Sequence, residues 1–169
     1  MNNRNRTSMR HAQGKKAFCS LAQKHGIDVV DVSRQGTMAR RNITYKIFVE
    51  ETSDIELPKG KTLTMTFRSD YSMGKTGNVF FEIEHIRQGG RTEEGWFFSC
   101  YSNYIVYYNA SDNTAIIMDW EKLRYAISVG EVGEIRSVIN DGDECITKVC
   151  LASIDELKEK NCIVCEIRS

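Results

Sequence analysis

The chain has 169 residues, of which 41% are hydrophobic and 27% are charged, and its 23 basic and 23 acidic side chains give a formal net charge of zero. These are ordinary globular values, so we expect one domain over 1–169, with 1–7 flexible. The zero net charge excludes a bulk basic signal for nucleic acid, and no apolar run reaches the length of a membrane span. No signal peptide is recognisable, so we expect a soluble protein of the cytoplasm, either cellular or viral.

The charges are unevenly placed along the chain. Residues 1–41 hold nine arginines and lysines against two aspartates, Asp28 and Asp31. A basic N-terminal region of this kind permits a surface that faces DNA. A solvated basic arm would have the same composition, so this alternative stays open.

The first 50 residues predict one helix and two strands. Ser8 can cap a helix that runs to about His25, and Gly26 can end it. Residues 27–32 alternate towards a strand, and residues 42–50 alternate clearly between apolar and polar side chains. A basic, turn-rich connection over 33–41 separates the two strands.

The middle of the chain predicts a hairpin and then a further strand. Residues 54–57 form a short strand that Pro58 interrupts, and residues 63–68 pair back onto it. A glycine-rich turn at 74–78 leads into a strand at 79–83, which is rich in aromatic and β-branched residues.

The last 80 residues continue in the same mixed pattern. We expect a short helix at 95–101, a hairpin of 104–109 with 114–118, and a helix at 120–128 capped by Asp119. A second hairpin, of 135–139 with 145–151, surrounds a turn at 140–143. A helix at 154–160 capped by Ser153 and a strand at 162–167 complete the chain. The sum is an α/β (α+β) domain with a central mixed sheet and a few flanking helices.

The segment 70–84 combines the residue types that metal-dependent phosphate chemistry uses. It contains an acid, Asp70, a cation in a glycine-rich turn, Lys75, and two further acids, Glu82 and Glu84. Because the two glutamates are two residues apart in a predicted strand, we expect them on the same face. Such acids beside a cationic turn indicate a site for a divalent metal and a phosphate. A solvated edge strand would show the same alternation.

The Gly74-Lys75-Thr76 sequence does not indicate a nucleotide-binding loop. The full pattern has an earlier glycine at the position of Ser69, and it needs a helix to follow. Here a strand follows, so we exclude this interpretation.

These motifs resemble the PD-(D/E)xK nuclease-like superfamily, in particular its small phage-type members. Asp54 and Ile55 match the Asp-Ile of a hairpin, and Thr76–Glu82 match a strand of the form Thr-Gly-Asn, three hydrophobic residues and Glu. The acid-x-Lys motif falls on Thr66–Arg68. The resemblance covers roughly 54–109 and implies a restriction-endonuclease-like core and a metal-dependent nuclease.

The chain departs from that superfamily at the acid-x-Lys motif. Thr66 is not a strong metal ligand, and Arg68 cannot act as a general base because its pKa stays above about 12. One interpretation keeps a metal site and lets Arg68 and Lys75 contact phosphate. The expected ligands for Mg²⁺ or Mn²⁺ are Asp54, Asp70 and Glu82. In a second interpretation Asp70 is the first acid and Glu82 and Glu84 form the second motif, with Glu84 at the lysine position.

Several other side chains are candidates for the functional site, and each also has an explanation that involves no function. His85 fits a metal ligand or a surface histidine, Arg87 and Arg91 fit a phosphate clamp or loop cations, and Trp96 fits a base-stacking or a core residue. Cys162 and Cys165 have the spacing of half a zinc site, and Cys145 and Cys150 could complete it. In a reducing cytosol the same cysteines are free thiols.

The sequence therefore predicts a divalent-metal-dependent phosphodiesterase that acts on DNA, with phage-encoded members of the superfamily as the nearest resemblance. The alternative is a catalytically inactive nuclease fold that binds nucleic acid or a protein, or inhibits one. A third interpretation is an accessory domain with no nucleic-acid role. A homodimer is compatible with all of them.

Overall fold

The computed structural model describes residues 3–139 and 145–169, and within these ranges the chain forms five helices and ten strands. In chain order they are α1 (Asn3–Lys24), β1 (Ile27–Asp31), α2 (Gly36–Arg40), β2 (Tyr45–Val49), β3 (Thr62–Asp70), α3 (Met73–Thr76), β4 (Asn78–Ile86), β5 (Thr92–Glu94), β6 (Tyr104–Asn109), β7 (Thr114–Asp119), α4 (Trp120–Ser128), β8 (Glu134–Ile139), β9 (Ile146–Ser153), α5 (Ile154–Glu159) and β10 (Ile163–Arg168).

The central sheet has six strands in the order β1-β2-β3-β6-β7-β10. Its neighbours are antiparallel except β3 and β6, which run parallel, so the predicted mixed sheet is confirmed. The predicted hairpin of 54–57 with 63–68 is wrong, because β3 pairs with β2 and β6 instead. Residues 54–57 form no strand, and Ile55 and Leu57 are buried in the core beneath α1.

One face of the central sheet is covered by α1. This helix begins at Asn3, earlier than the predicted cap at Ser8, and it buries Phe18 and Leu21 against the sheet. Phe18 stacks on Tyr45 and approaches Phe67, with ring centroids 5.7 and 5.5 Å apart. Burial of these rings stabilises the packing of α1 against the sheet.

A second, four-stranded antiparallel sheet lies beyond the other face and was not predicted as a separate sheet. Its order is β5-β4-β9-β8, and β4 and β9 pair along most of their length. Phe81 of β4 and Cys150 of β9 are fully buried in the core on this side. The predicted hairpin of β8 and β9 is confirmed, and its predicted turn at 140–143 lies outside the described residues.

The helix caps follow the sequence closely, whereas two connections do not. Asp119 caps α4 and Ser153 forms a capping box with Glu156 at the start of α5, as predicted. The predicted helix at 95–101 is wrong, since turns at 96–99 follow β5 in its place, and α2 adds a short helix to the predicted 33–41 connection.

Candidate active site

A β-bulge in β4 decides where the two predicted glutamates point. Glu82 lies opposite Val149 of β9, and Glu84 lies opposite Lys148, the adjacent residue of β9. Ile83 is therefore an extra residue in β4 with no partner of its own on β9. Adjacent residues of β9 point to opposite faces of the sheet, and therefore Glu82 and Glu84 also point to opposite faces. The prediction that they share a face is therefore wrong. The Glu84 carboxylate is 2.6 Å from Lys148 Nζ and pairs with it.

The segment after β5 holds this bulge in place. The Gly95 N–H donates to the Ile83 carbonyl at 2.7 Å, and the Phe97 N–H donates to the Glu82 carbonyl at 3.2 Å. The backbones come so close that a Cβ on Gly95 would lie 2.1 Å from the Glu82 carbonyl oxygen. Only glycine fits this crossing, and it places Trp96 beside the site.

Alternation along β3 brings two of the predicted residues to the side of the second sheet. Arg68 and Asp70 are two residues apart and lie opposite Tyr107 and Asn109 in the parallel register with β6. Tyr107 is buried among the residues that pack between the two sheets, and its hydroxyl donates to the Phe80 carbonyl of β4. The phenol of Tyr107 thus links β6 to the strand that carries Glu82.

The charges of three predicted site residues influence the pKa of the Tyr107 phenol. Burial raises the pKa of Tyr107 well above its usual value, the Arg68 cation opposes this rise, and Asp70 and Glu82 add to it. Arg68 and Glu82 line one cavity with Tyr107, and Asp70 lies two residues after Arg68 on β3. This is the only part of the predicted metal and phosphate set that the described part of the chain brings together.

Arg68 is held between an aromatic ring and the backbone. Its guanidinium carbon lies 4.0 Å from the centroid of the Trp96 ring, and its Nη1 donates to the Phe67 carbonyl at 3.2 Å. Burial lowers the pKa of Arg68, while Tyr107 and Glu82 favour its charged form. An arginine keeps its charge in proteins, so the site contains a permanent cation.

His11 of α1 completes the site, and sequence analysis missed it. It lines a cavity of about 270 Å³ together with Arg68, Glu82 and Trp96, and its Nδ1 is 3.3 Å from Ser69 Oγ. Burial lowers the pKa of His11, and the nearby cations lower it further. The imidazole is therefore neutral at pH 7 and can accept a proton. No local signal identified it, since α1 is far from β3 in sequence.

The other predicted site residues lie elsewhere or bind differently. Asp54 is exposed beside His25, with 3.4 Å between Oδ1 and Nδ1, next to a segment that packs under α1. Lys75 is exposed on α3, the short connection between β3 and β4. Asp70 Oδ1 accepts bonds from the N–H and the hydroxyl of Ser72, both at 2.7 Å.

The secondary candidates also have identifiable partners. His85 Nε2 is 3.9 Å from Glu82 Oε2, and its Nδ1 is 3.1 Å from Thr147 Oγ1, which places it at the rim of the site. Arg87 and Arg91 both approach Glu93, at 3.1 and 3.6 Å. These two arginines therefore form a local ion-pair cluster at the end of the second sheet.

No cluster of metal ligands is assembled within 3–139 and 145–169. In these ranges no three His, Cys, Asp or Glu side chains are close enough together to hold a metal ion. The expected trio of Asp54, Asp70 and Glu82 is thus not assembled. Neither do the cysteines considered for zinc form a group, since Cys162 is buried between the two sheets and Cys165 packs on the α1 side.

Comparisons with known proteins add one weak likeness. No family model matches the chain, and no curated protein matches it. Among solved structures, a nuclease from a fusselovirus is similar over 94% of this chain and 90% of its own, at 6% identity and a TM-score of 0.32. A TM-score this low does not indicate a shared fold. As for membranes, the helices in the described ranges are all too short or too polar to span a bilayer.

Proposed function

We propose that this protein is a nuclease, a divalent-metal-dependent phosphodiesterase that acts on DNA. The observation that supports this proposal best is a cavity lined by Arg68, Glu82, Tyr107 and His11, with Asp70 two residues after Arg68 on β3. Two acids, a fixed cation and a neutral histidine are groups that can catalyse phosphodiester hydrolysis.

The proposed metal is Mg²⁺ or Mn²⁺, held by Asp70 and Glu82. Mg²⁺ is commonly bound by only one or two carboxylates, with waters and substrate phosphates as its other ligands. Asp70 suits this role because Ser72 engages only its Oδ1, which leaves Oδ2 for a metal. A bound metal ion would stabilise the charge that develops on the phosphate.

The protein's own side chains have separate roles in this proposal. Arg68 attracts and orients the phosphate, and its position is fixed by the Trp96 ring. His11 accepts the proton of the attacking water, because its imidazole is neutral at pH 7. Tyr107 positions β4 through its bond to the Phe80 carbonyl and so sets the location of Glu82.

A second candidate function is a catalytically inactive nuclease fold that binds nucleic acid or a protein. Three observations favour it. Thr66 occupies an expected acid position and is buried, with its hydroxyl donating to the Asn42 carbonyl. Asp54 is outside the site, and Glu84 is neutralised by Lys148.

Cleavage assays on single-stranded and duplex DNA, with Mg²⁺, Mn²⁺ or EDTA, distinguish the two functions. Asp70→Asn and Glu82→Gln should each abolish a metal-dependent cleavage that the wild type shows. Asp54→Asn and Glu84→Gln serve as matched controls, because they remove the same charge outside the site, and they should retain activity. A folded wild-type protein that cleaves with neither metal would favour the binding function.

A further inference from the structure

We propose that the strand which reaches Arg68 is unpaired, with its phosphates in a basic groove beside α1 and one of its bases on Phe80. This inference rests on the proposed function, because it takes Arg68 as the site of the reacting phosphate. It adds the substrate class and two binding surfaces, each of which shares lining residues with the cavity of about 270 Å³ around Arg68, called the Arg68 cavity below.

The first surface is the α1 groove, which we define by Lys15, Lys16, Arg34 and Gln35. It lies between α1 and the turn after β1 and has a volume of about 670 Å³. Lys15 Nζ bonds Asp31 Oδ2 at 3.2 Å and Ser33 Oγ at 3.1 Å, which fixes its position.

Lys16 and Arg34 are exposed in this groove, and Asp31 is the acid among its lining residues. The groove therefore carries an excess of positive charge, which attracts a polyanion such as a phosphodiester backbone.

His11 connects this groove to the active site. It lines both the α1 groove and the Arg68 cavity, so the two adjoin at this side chain. After burial, the causes that lower the pKa of His11 are the Lys15 cation on one side and the Arg68 cation on the other. The positive potential therefore extends from the α1 groove to the Arg68 cavity. A strand whose successive phosphates lie along this path needs such a continuous positive potential.

The second surface is the base groove, which we define by Phe80, Val138, Val149 and Leu151 on the open face of the second sheet. Its volume is about 480 Å³, and Phe80 and Glu82 line both this groove and the Arg68 cavity. Phe80 is 41% exposed and Val138 is 42% exposed, so an aromatic ring and an apolar floor face solvent.

This chemistry fits a nucleobase better than a phosphate. Bases stack on aromatic side chains, and base–aromatic stacking contributes strongly to binding of single strands. A base in a duplex is already stacked and paired, and it must be unstacked before it can lie on Phe80. An unpaired strand can present a phosphate to Arg68 and the adjacent base to Phe80 without this cost.

Equilibrium binding measured by fluorescence anisotropy tests the inference. The probes are a labelled single-stranded oligonucleotide and the blunt duplex of the same sequence, in EDTA so that nothing is cleaved. The wild type should bind the single strand at least about tenfold more tightly. Lys16→Glu with Arg34→Glu should weaken binding of the single strand by about tenfold or more and reduce its salt dependence.

The base groove is tested by Phe80→Leu, which keeps an apolar side chain but removes the stacking ring. It should weaken single-strand binding by about tenfold and change duplex binding little. The matched control for the charge reversal is Lys61→Glu with Lys122→Glu, two exposed lysines that do not line the α1 groove, and it should bind like the wild type.

Parallel cleavage assays in Mg²⁺ separate failure of this inference from failure of the proposed function. Wild-type affinity in both groove variants, or equal affinity for single strand and duplex, would overturn the unpaired-strand inference, even if Asp70→Asn still abolished cleavage. A wild type that binds single strands through these residues but cleaves nothing would overturn the nuclease proposal and leave the strand site in place.

Discussion

The two faces of the central sheet differ in what they bury. On the α1 side, Phe67 is completely buried and its ring contacts Phe18, Tyr45 and Tyr108. On the other side, the next residue along β3 is Arg68, whose charged side chain lines a cavity with Glu82 and the phenol of Tyr107. One strand therefore supplies an apolar core to one face and the candidate site to the other.

This difference shows how a single strand can serve stability and chemistry separately. Apolar burial on the α1 side contributes favourable free energy without needing partners. Charges on the second-sheet side need hydrogen bonds or opposite charges, because a desolvated charge without them is costly. Substitutions on the first face should therefore change stability most, and substitutions on the second should change activity more than stability.

Phe67→Ala should give the largest loss of stability. Removal of a fully buried ring from a packed aromatic cluster costs about 3–5 kcal/mol. Urea denaturation measures the change, and the exposed Phe48→Ala on β2 is the control, with an expected loss below about 1 kcal/mol. Similar losses for the two variants would contradict the contrast between the faces.

Gly95→Ala should have the next largest effect, and it should lower both folding stability and DNA cleavage. The new Cβ would collide with the Glu82 carbonyl, so the bulge must shift at a cost of about 1–3 kcal/mol, and Glu82 would move with it. Denaturation and DNA cleavage are measured together. Gly36→Ala, where a Cβ meets nothing within 4 Å, should leave both unchanged.

Tyr107→Phe should cost about 1 kcal/mol, because the buried Phe80 carbonyl loses its donor from the tyrosine. Activity should fall as well, since this bond positions the strand that carries Glu82. The exposed Tyr125→Phe on α4 is the matched control. Unchanged stability and activity in Tyr107→Phe would show that the hydroxyl does not couple the two sheets.

His11→Gln should have the smallest effect on folding stability, visible as a change in the pH dependence of that stability. The pKa of His11 is lowered in the folded state from 6.5, so the unfolded chain binds more protons below about that pH. Folding stability then decreases as the pH falls through this range, and glutamine removes that contribution. Thermal denaturation between about pH 7.5 and 5 should show a shallower decline for the variant. An identical slope would place His11 outside the positive field.

The sequence predicted the regular elements well where the signal is local. Alternation in β2, β6 and β7 and the caps Asp119 and Ser153 depend on neighbours a few residues away, and the structure confirms them. For the candidate site, Asp70 and Glu82 were candidates from the segment 70–84 and Arg68 from the family resemblance, whereas His11 and Tyr107 were not candidates.

What the sequence determined by itself is thus most of the helices and strands and the presence of acids and a cation on two consecutive strands, β3 and β4. Only the tertiary structure decided which of them meet. The bulge in β4 depends on hydrogen bonds from Gly95 and Phe97, and it reverses the side to which Glu84 points. Asp54 lies away from the site, in a segment whose Ile55 and Leu57 are buried under α1. Contacts between residues far apart in sequence have no local pattern, so the side chains around Arg68 are selected by the packing of the two sheets.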